Sequence, residues 1–80
     1  KKRPKADAMS ALHIGAPMPG KILEVRIIEG QQLVQGQIVM ITESMKMEYA
    51  ITAKAAAKVQ KIHVSKGELV AEGDLLIELA

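Results

Sequence analysis

The sequence predicts an all-β domain: a flattened barrel or sandwich of two four-stranded sheets with pseudo-two-fold symmetry and a lysine on a hairpin tip. Three observations support this fold class: an aliphatic core composition, an internal repeat, and two β-prone runs that meet across a few residues. Hydrophobic residues make up 49% of the 80 residues, yet Phe and Trp are absent and Tyr49 is the only aromatic. A core packed from Ile, Val, Leu and Met favours strands over helices.

The internal repeat appears when the chain is shifted by 37 residues. Each half then reads as strand, Gly, short strand, Gly, strand. The first half has its segments at 20–28, 30–36 and 37–43, and the second half at 57–65, 67–73 and 74–79. Glycines at matched positions predict turns with a positive φ, which glycine adopts without a Cβ penalty.

The long first strand of each half breaks its alternation at the same place. Val25 and Ile27 share one parity while Ile22 has the other, and the second half repeats the pattern with Ile62, Val64 and Val59. A shared break predicts a β-bulge or twist that carries each strand from one sheet to the other.

The two halves meet at Glu43-Ser44-Met45-Lys46-Met47-Glu48. Apolar runs on both sides, at 39–41 and 49–51, predict a hairpin whose tip carries Lys46 into water. Pseudo-symmetry further predicts that this tip lies at the opposite pole from the chain ends.

The N-terminal segment differs from the rest of the chain in composition and charge. Residues 1–11 have charge, Pro and Ser but no apolar period, which predicts a flexible linker or tail before a domain at 12–80. Residues 1–11 carry a net charge of +3. Because the whole chain has a net charge of +2, residues 12–80 carry a net charge of −1. Because the domain lacks a basic patch and aromatic stacking platforms, we expect no binding of nucleic acid.

Further classes are disfavoured by what the sequence lacks. Without cysteine there is no disulfide and no cysteine metal site, which fits a bacterial cytoplasm or a mitochondrial matrix. No apolar stretch is long enough for a membrane span, so we expect no membrane partner. His13 and His63 are 50 residues apart with no acidic cluster at ligand spacing, so we expect no metal site.

Lys46 does not fit the role of a catalytic nucleophile. A lysine with an ordinary pKa of ~10.4 is neutral in only about one molecule in 2,500 at pH 7, and the nearest charges in sequence, Glu43 and Glu48, favour the ammonium. An exposed lysine in a turn is usually a solubilising charge. Two flanking methionines change that interpretation, because large apolar side chains at a solvent-facing tip indicate a docking surface, unless one of them folds inward.

The run from Glu43 to Glu48 resembles the biotin-attachment motif, usually Glu-Ala-Met-Lys-Met-Glu, of the biotin carboxyl carrier domains. Gly15-Ala16-Pro17-Met18-Pro19-Gly20 and Gly73-Asp74-Leu75-Leu76-Ile77-Glu78-Leu79 match as well, so the resemblance covers residues 13–80. Within this family, the opening at 13–20 and the lead-in at 41–43 are most similar to the C-terminal carrier domain of bacterial pyruvate carboxylase.

The resemblance implies that the domain does no chemistry itself. A biotin protein ligase would join covalent biotin to Lys46, recognising the tip through Met45, Met47, Ser44 and Glu43. The biotin would then carry CO₂ from a biotin carboxylase domain to a carboxyltransferase domain of the parent enzyme, with pyruvate as acceptor and oxaloacetate as product. An acyl-CoA acceptor is the alternative.

The sequence departs from the family pattern at three positions. Ser44 replaces the usual Ala, and in the second copy of Ala-Pro-x-x-Gly, Lys54 stands in place of Pro and Ala57 in place of Gly. If Ala57 must adopt a positive φ, it costs about 1 kcal/mol; otherwise the turn simply uses other dihedrals.

Two other functions compete with the biotin carrier. A lipoyl carrier domain shares the duplicated sandwich and hairpin lysine, but usually has an acidic residue before the lysine and a small one after it. A non-carrier interaction module would use the Met-rich tip only to dock a partner.

Overall fold

The computed structural model describes residues 4–7 and 12–80, in which eight strands form two antiparallel sheets of four. The strands are β1 (His13–Gly15), β2 (Gly20–Val25), β3 (Gln32–Leu33), β4 (Ile38–Ser44), β5 (Met47–Thr52), β6 (Ala57–Ile62), β7 (Leu69–Val70) and β8 (Leu75–Leu79). One sheet has the order β5-β4-β2-β7 and the other β1-β8-β6-β3. The predicted fold class is confirmed, and no helix in the described residues is long and apolar enough to cross a membrane.

The two sheets are related by the sequence repeat. Adding four to each strand number, and returning to β1 after β8, converts the order β5-β4-β2-β7 into β1-β8-β6-β3. The aliphatic core lies between the sheets. Its largest fully buried side chains are Ile22, Leu33, Val39, Met40, Val59, Leu76 and Ile77.

The shared break in alternation is a β-bulge in both halves. The register of β2 on β4 shifts between Ile22 and Glu24, and that of β6 on β8 shifts between Val59 and Lys61. Ile22 and Val59 are buried on one side of the bulge, while Ile27 is buried beyond it. The bulge therefore keeps apolar side chains directed inward as the chain passes from one sheet toward the other.

Four turns of one kind join the strands, each with a glycine at its third position. The glycine φ angles are 85–94°, and the backbone N–H after each glycine donates to the carbonyl three residues earlier. This is the arrangement of a type II turn, which requires a positive φ at that position. The four turns are Ile28–Gln31, Val34–Gln37, Ser65–Glu68 and Ala71–Asp74.

The last side chain of each turn accepts a hydrogen bond from the backbone N–H of the first residue. Gln31, Gln37, Glu68 and Asp74 do this over distances of 2.7–3.1 Å. A side-chain acceptor after the glycine is thus a repeated feature of the sequence, and it satisfies one backbone donor per turn.

Each turn also closes on a strand or strand end from the other half of the chain. Gly36 N–H donates to the Ala53 carbonyl and Ala53 N–H donates to the Gln37 carbonyl, at 2.8 and 2.9 Å. The same pair of bonds joins Gly73 and Asp74 to Ala16. Equivalent pairs join Gly30 and Gln31 to Val59, and Gly67 and Glu68 to Ile22. The two halves are therefore interlocked.

Ala57 does not have a positive φ, so the strain expected there does not arise. Its counterpart Gly20 has no positive φ either. A Cβ on Gly20 would lie 2.5 Å from the backbone oxygen of Glu43. Glycine is needed at this position because β2 approaches the neck of the hairpin closely, and not because of its backbone angles.

We predict that glycine stabilises the domain at position 20 but not at position 57, although the family pattern has glycine at both. Gly20→Ala should lower the free energy of unfolding by about 1 to 3 kcal/mol, because backbone must shift to admit the methyl group. Ala57→Gly should lower it by about 0.5 to 1 kcal/mol, since glycine weakens a strand and Ala57 packs against the core. Urea denaturation of both variants checks this. An Ala57→Gly protein more stable than the parent would contradict it.

The linker predicted at residues 1–11 lies partly outside the described residues. Of that segment the structure describes 4–7, where Lys5 forms a β-bridge with Asp74. The flexibility of the linker stays a prediction.

Candidate functional site

The hairpin between β4 and β5 carries the sequence-predicted site. Its register pairs Glu43 with Glu48 and Ser44 with Met47, which leaves Met45 and Lys46 as a two-residue loop. Both loop residues have a positive φ, 53° for Met45 and 66° for Lys46. Two consecutive left-handed residues make a type I′ turn, whose twist matches that of the flanking strands.

The turn is strained by its residue types. Type I′ loops favour Asn-Gly or Asp-Gly, because a side chain with a Cβ in the left-handed region costs roughly 1 to 2 kcal/mol. Met45 and Lys46 are the only non-glycine residues with a positive φ in the part of the chain that the structure describes. Strain of this kind persists where the surrounding structure imposes it, and it concentrates at functional sites.

Both methionines face solvent. Met45 is 91% exposed and Met47 is 60% exposed. Neither folds into the end of the sandwich, so that alternative is wrong. The tip thus presents two large apolar side chains to water, and the Tyr49 hydroxyl lies 3.9 Å from the Met47 sulfur.

Lys46 stands between them without a polar partner. It is exposed and makes no hydrogen bond or ion pair with any residue that the structure describes. Its Nζ can therefore be approached by another molecule without disrupting a contact of the fold.

Two like charges form the neck of the hairpin. Glu43 and Glu48 lie directly opposite each other on β4 and β5. Neither forms an ion pair within residues 4–7 and 12–80. Like charges at a cross-strand pair are destabilising. Lys21 lies opposite Glu43 on β2, so the neck carries charges of both signs.

A shallow groove lies beside the tip, and the sequence did not reveal it. The groove is lined by Pro19, Gly20, Lys21, Glu43, Ser44, Met45, Leu69 and Val70. Leu69, on the edge strand β7, is 72% exposed. The pairing of β7 with β2 brings this second-half residue to the end of the sheet that carries the hairpin. The apolar surface at this end is therefore wider than the two methionines.

The two histidines both lie beside Glu78 of β8: His13 is in β1 and His63 directly follows β6. His63 Nε2 lies 2.8 Å from Glu78 Oε1, and His13 Nε2 lies 4.0 Å from Glu78 Oε2. Their sequence separation hid this contact, which the β1–β8 register creates by pairing His13 with Glu78. No group of three or more His, Cys, Asp or Glu in the described residues could hold a metal ion.

The fold and the tip together define a carrier type of domain: an interlocked β-sandwich that presents an accessible lysine on a strained hairpin. Comparison with known proteins gives its family. Residues 12–79 match the family described as biotin-requiring enzymes. The chain therefore belongs to this family, and it is a biotin carrier domain of biotin-dependent carboxylases, with biotin as its covalent cofactor.

The similar proteins agree on this class and differ in substrate. The chain is 43% identical to pyruvate carboxylase of Staphylococcus aureus, covering 96% of this chain and 7% of that protein. It is 47% identical to a biotin carboxyl carrier protein of Streptococcus mutans, covering 96% and 59%. It is 41% identical to the mitochondrial propionyl-CoA carboxylase alpha chain of Sus scrofa, covering 91% and 10%.

A solved structure supports the same conclusion. The chain matches a single-chain, multi-domain long-chain acyl-CoA carboxylase with a TM-score of 0.80 and 26% identity, covering 99% of this chain and 7% of that one. The chain thus spans less than two thirds of each of these relatives.

We predict that the strain of the turn can be measured with the two exposed methionines. Met45→Asn should raise the free energy of unfolding by about 0.5 to 1 kcal/mol, because Asn tolerates the left-handed region. Met47→Asn is the matched control: it changes the other exposed methionine, which lies in a strand, where Asn is disfavoured, and should give no gain. Urea denaturation measures both. Equal effects of the two variants would contradict the strain at Met45.

Proposed function

We propose that Lys46 is the residue that carries biotin, as an amide between its Nζ and the biotin carboxyl group. The observation that carries this proposal is the environment of Lys46: exposed, without a polar partner in the described residues, and held in a left-handed turn between two exposed methionines. The residues present fit the group, since acylation of Nζ removes no contact that stabilises the fold.

The attachment requires a second enzyme, a biotin protein ligase that supplies biotinyl-adenylate. The neutral amine of Lys46 attacks the acyl carbon, the new C–N bond forms, the C–O bond to AMP breaks, and one proton leaves the nitrogen. A base of the ligase takes that proton. Met45, Met47, Ser44 and Glu43 form the surface that the ligase contacts.

The cofactor supplies the chemistry, since biotin holds CO₂ as a carboxyl group on its ureido nitrogen. This chain would position the biotin. The type I′ turn fixes the direction in which the Lys46 side chain leaves the sandwich, and the interlocked halves keep that base rigid. The linked domain moves between a biotin carboxylase site and a carboxyltransferase site, which raises the local concentration of the carried group at each.

Pyruvate is the acceptor that we propose, with acyl-CoA as the second candidate. The resemblance of residues 13–20 and 41–43 to the bacterial pyruvate carboxylase carrier supports pyruvate. The sequence identities to the pyruvate and propionyl-CoA enzymes, 43% and 41%, are close, so acyl-CoA is the second candidate acceptor.

Intact mass tests the attachment site. After co-expression with a biotin protein ligase and a lipoyl ligase, the parent chain should gain the mass of one biotinyl group and no lipoyl group. Lys46→Arg should gain none, whereas Lys54→Arg, the matched control in another exposed turn, should be labelled like the parent. Label on Lys46→Arg would move the site elsewhere, and absence of any label on the parent would favour a non-carrier interaction module.

A domain exchange tests the acceptor. Residues 12–79 would replace the carrier domain of Staphylococcus aureus pyruvate carboxylase and, separately, that of the propionyl-CoA carboxylase alpha chain in its holoenzyme. Biotin loading of both chimeras is equalised by mass. We expect the pyruvate carboxylase chimera to retain a larger fraction of its parent's rate. The reason is that a carrier must dock on a carboxyltransferase domain, and we propose that this carrier fits the one that uses pyruvate. The reverse ranking would assign the domain to an acyl-CoA enzyme.

A further inference from the structure

The segment Pro4–Asp7, named the strap here, lies on the edge of the second sheet at the start of β8. Leu75 N–H donates to the Pro4 carbonyl and Ala6 N–H donates to the Gly73 carbonyl, both at 2.8 Å. At this point β1 leaves the regular register, with a bulge between Ile14 and Gly15. The strap thus adds backbone hydrogen bonds at the start of β8, where Gly15 of β1 still has Leu75 as its register partner.

The strap is also held by its lysine. Lys5 Nζ lies 2.6 Å from Asp74 Oδ1 and donates to the Glu72 carbonyl at 3.3 Å. Asp74 is only 6% exposed, and its second oxygen accepts from Ala71 N–H. Gln37 occupies the equivalent position in the first half and makes the same turn contact without a charge. The second half has therefore placed a buried carboxylate where the strap brings a cation.

The surface beneath the strap is shaped to admit it. A Cβ added to Gly15 would lie 2.7 Å from the Cβ of Ala6, closer than real Cβ contacts allow. Gly15 has no positive φ that would explain a glycine. At the far end of the strap, Asp7 N–H donates to His13 Nδ1 at 3.0 Å.

We propose that the Gly73–Leu75 edge, together with Gly15 and Asp74, is a docking site for an extended basic peptide, and that its occupant is the strap of this same chain. Backbone pairing at a sheet edge supplies the affinity, as in strand addition. Asp74 selects a cation at the second position of the peptide, and Gly15 requires a small residue at the third.

Docking changes where the tether of the carrier leaves the domain. Leu79 N–H donates to the Leu12 carbonyl, whereas Pro4 lies at Leu75. Four strand residues separate these two points, which is a shift of about 13 Å along β8.

Release of the strap would also lengthen the free tether before Leu12, because residues 4–7 would no longer be held on β8. This consequence rests on the proposed carrier function, whereas the docking site itself does not.

Amide hydrogen exchange on the unmodified chain tests the site, so that its outcome is independent of biotin. In the parent, the Ala6 and Leu75 amides should exchange at least about tenfold more slowly than in an unstructured peptide. Gly15→Ala should remove the protection of Ala6 by displacing the strap. The double variant Gly15→Ala with Ala6→Gly should restore that protection at position 6, because it removes the partner of the clash.

Two further comparisons separate docking from general destabilisation. Lys5→Ala should lower the protection of Ala6, while Lys66→Ala, an exposed lysine in another turn, should not. The Ile77 amide, in the buried strand β8, should stay protected in every variant. Free exchange of Ala6 in the parent, or failure of the double variant to restore protection while Ile77 remains protected, would overturn the proposal.

Discussion

Each half of this domain closes its turns on residues of the other half, and the rest of the structure depends on that exchange. The residues that receive the turns, Ala16, Ile22, Ala53 and Val59, are all buried. Each has its backbone N–H and C=O paired by one turn, and an orphaned buried group costs about 1 to 3 kcal/mol. A half lacking its partner would therefore lose backbone pairing as well as core contacts. The halves must fold together.

This constraint explains how a small domain without aromatic core residues or disulfides can support a strained tip. Strain at Met45 and Lys46 persists only if the strands below cannot rearrange. β4 is a central strand, paired on both sides by β5 and β2, and Gly20 lets β2 approach the neck within the reach of Glu43. The turn is consequently held by a base that is fixed on three sides: two strands and the core.

The 37-residue repeat was sufficient to predict the sandwich, the matched turns and the bulges at Ile22 and Val59, because those features follow from side-chain alternation and glycine spacing. It also placed Lys46 on the joining hairpin. The strap and the His13–Glu78 contact could not be predicted, since they depend on pairing between residues far apart in sequence. Of the two alternatives left open at Ala57, the structure has the unstrained one. The sequence could not decide between them, since the glycine at the equivalent position 20 is explained by a close approach to Glu43, which no local pattern encodes.

The electrostatics of the tip bear on how a partner protein would recognise it. Glu43 and Glu48 face each other at the neck, and neither forms an ion pair among the described residues. A like-charge pair across two strands destabilises the hairpin, so the neck does not contribute to the stability of the free domain. A complementary basic surface on a docking protein, such as the proposed ligase, would relieve this repulsion. The same carboxylates that weaken the free hairpin would therefore favour partners with a matching basic surface.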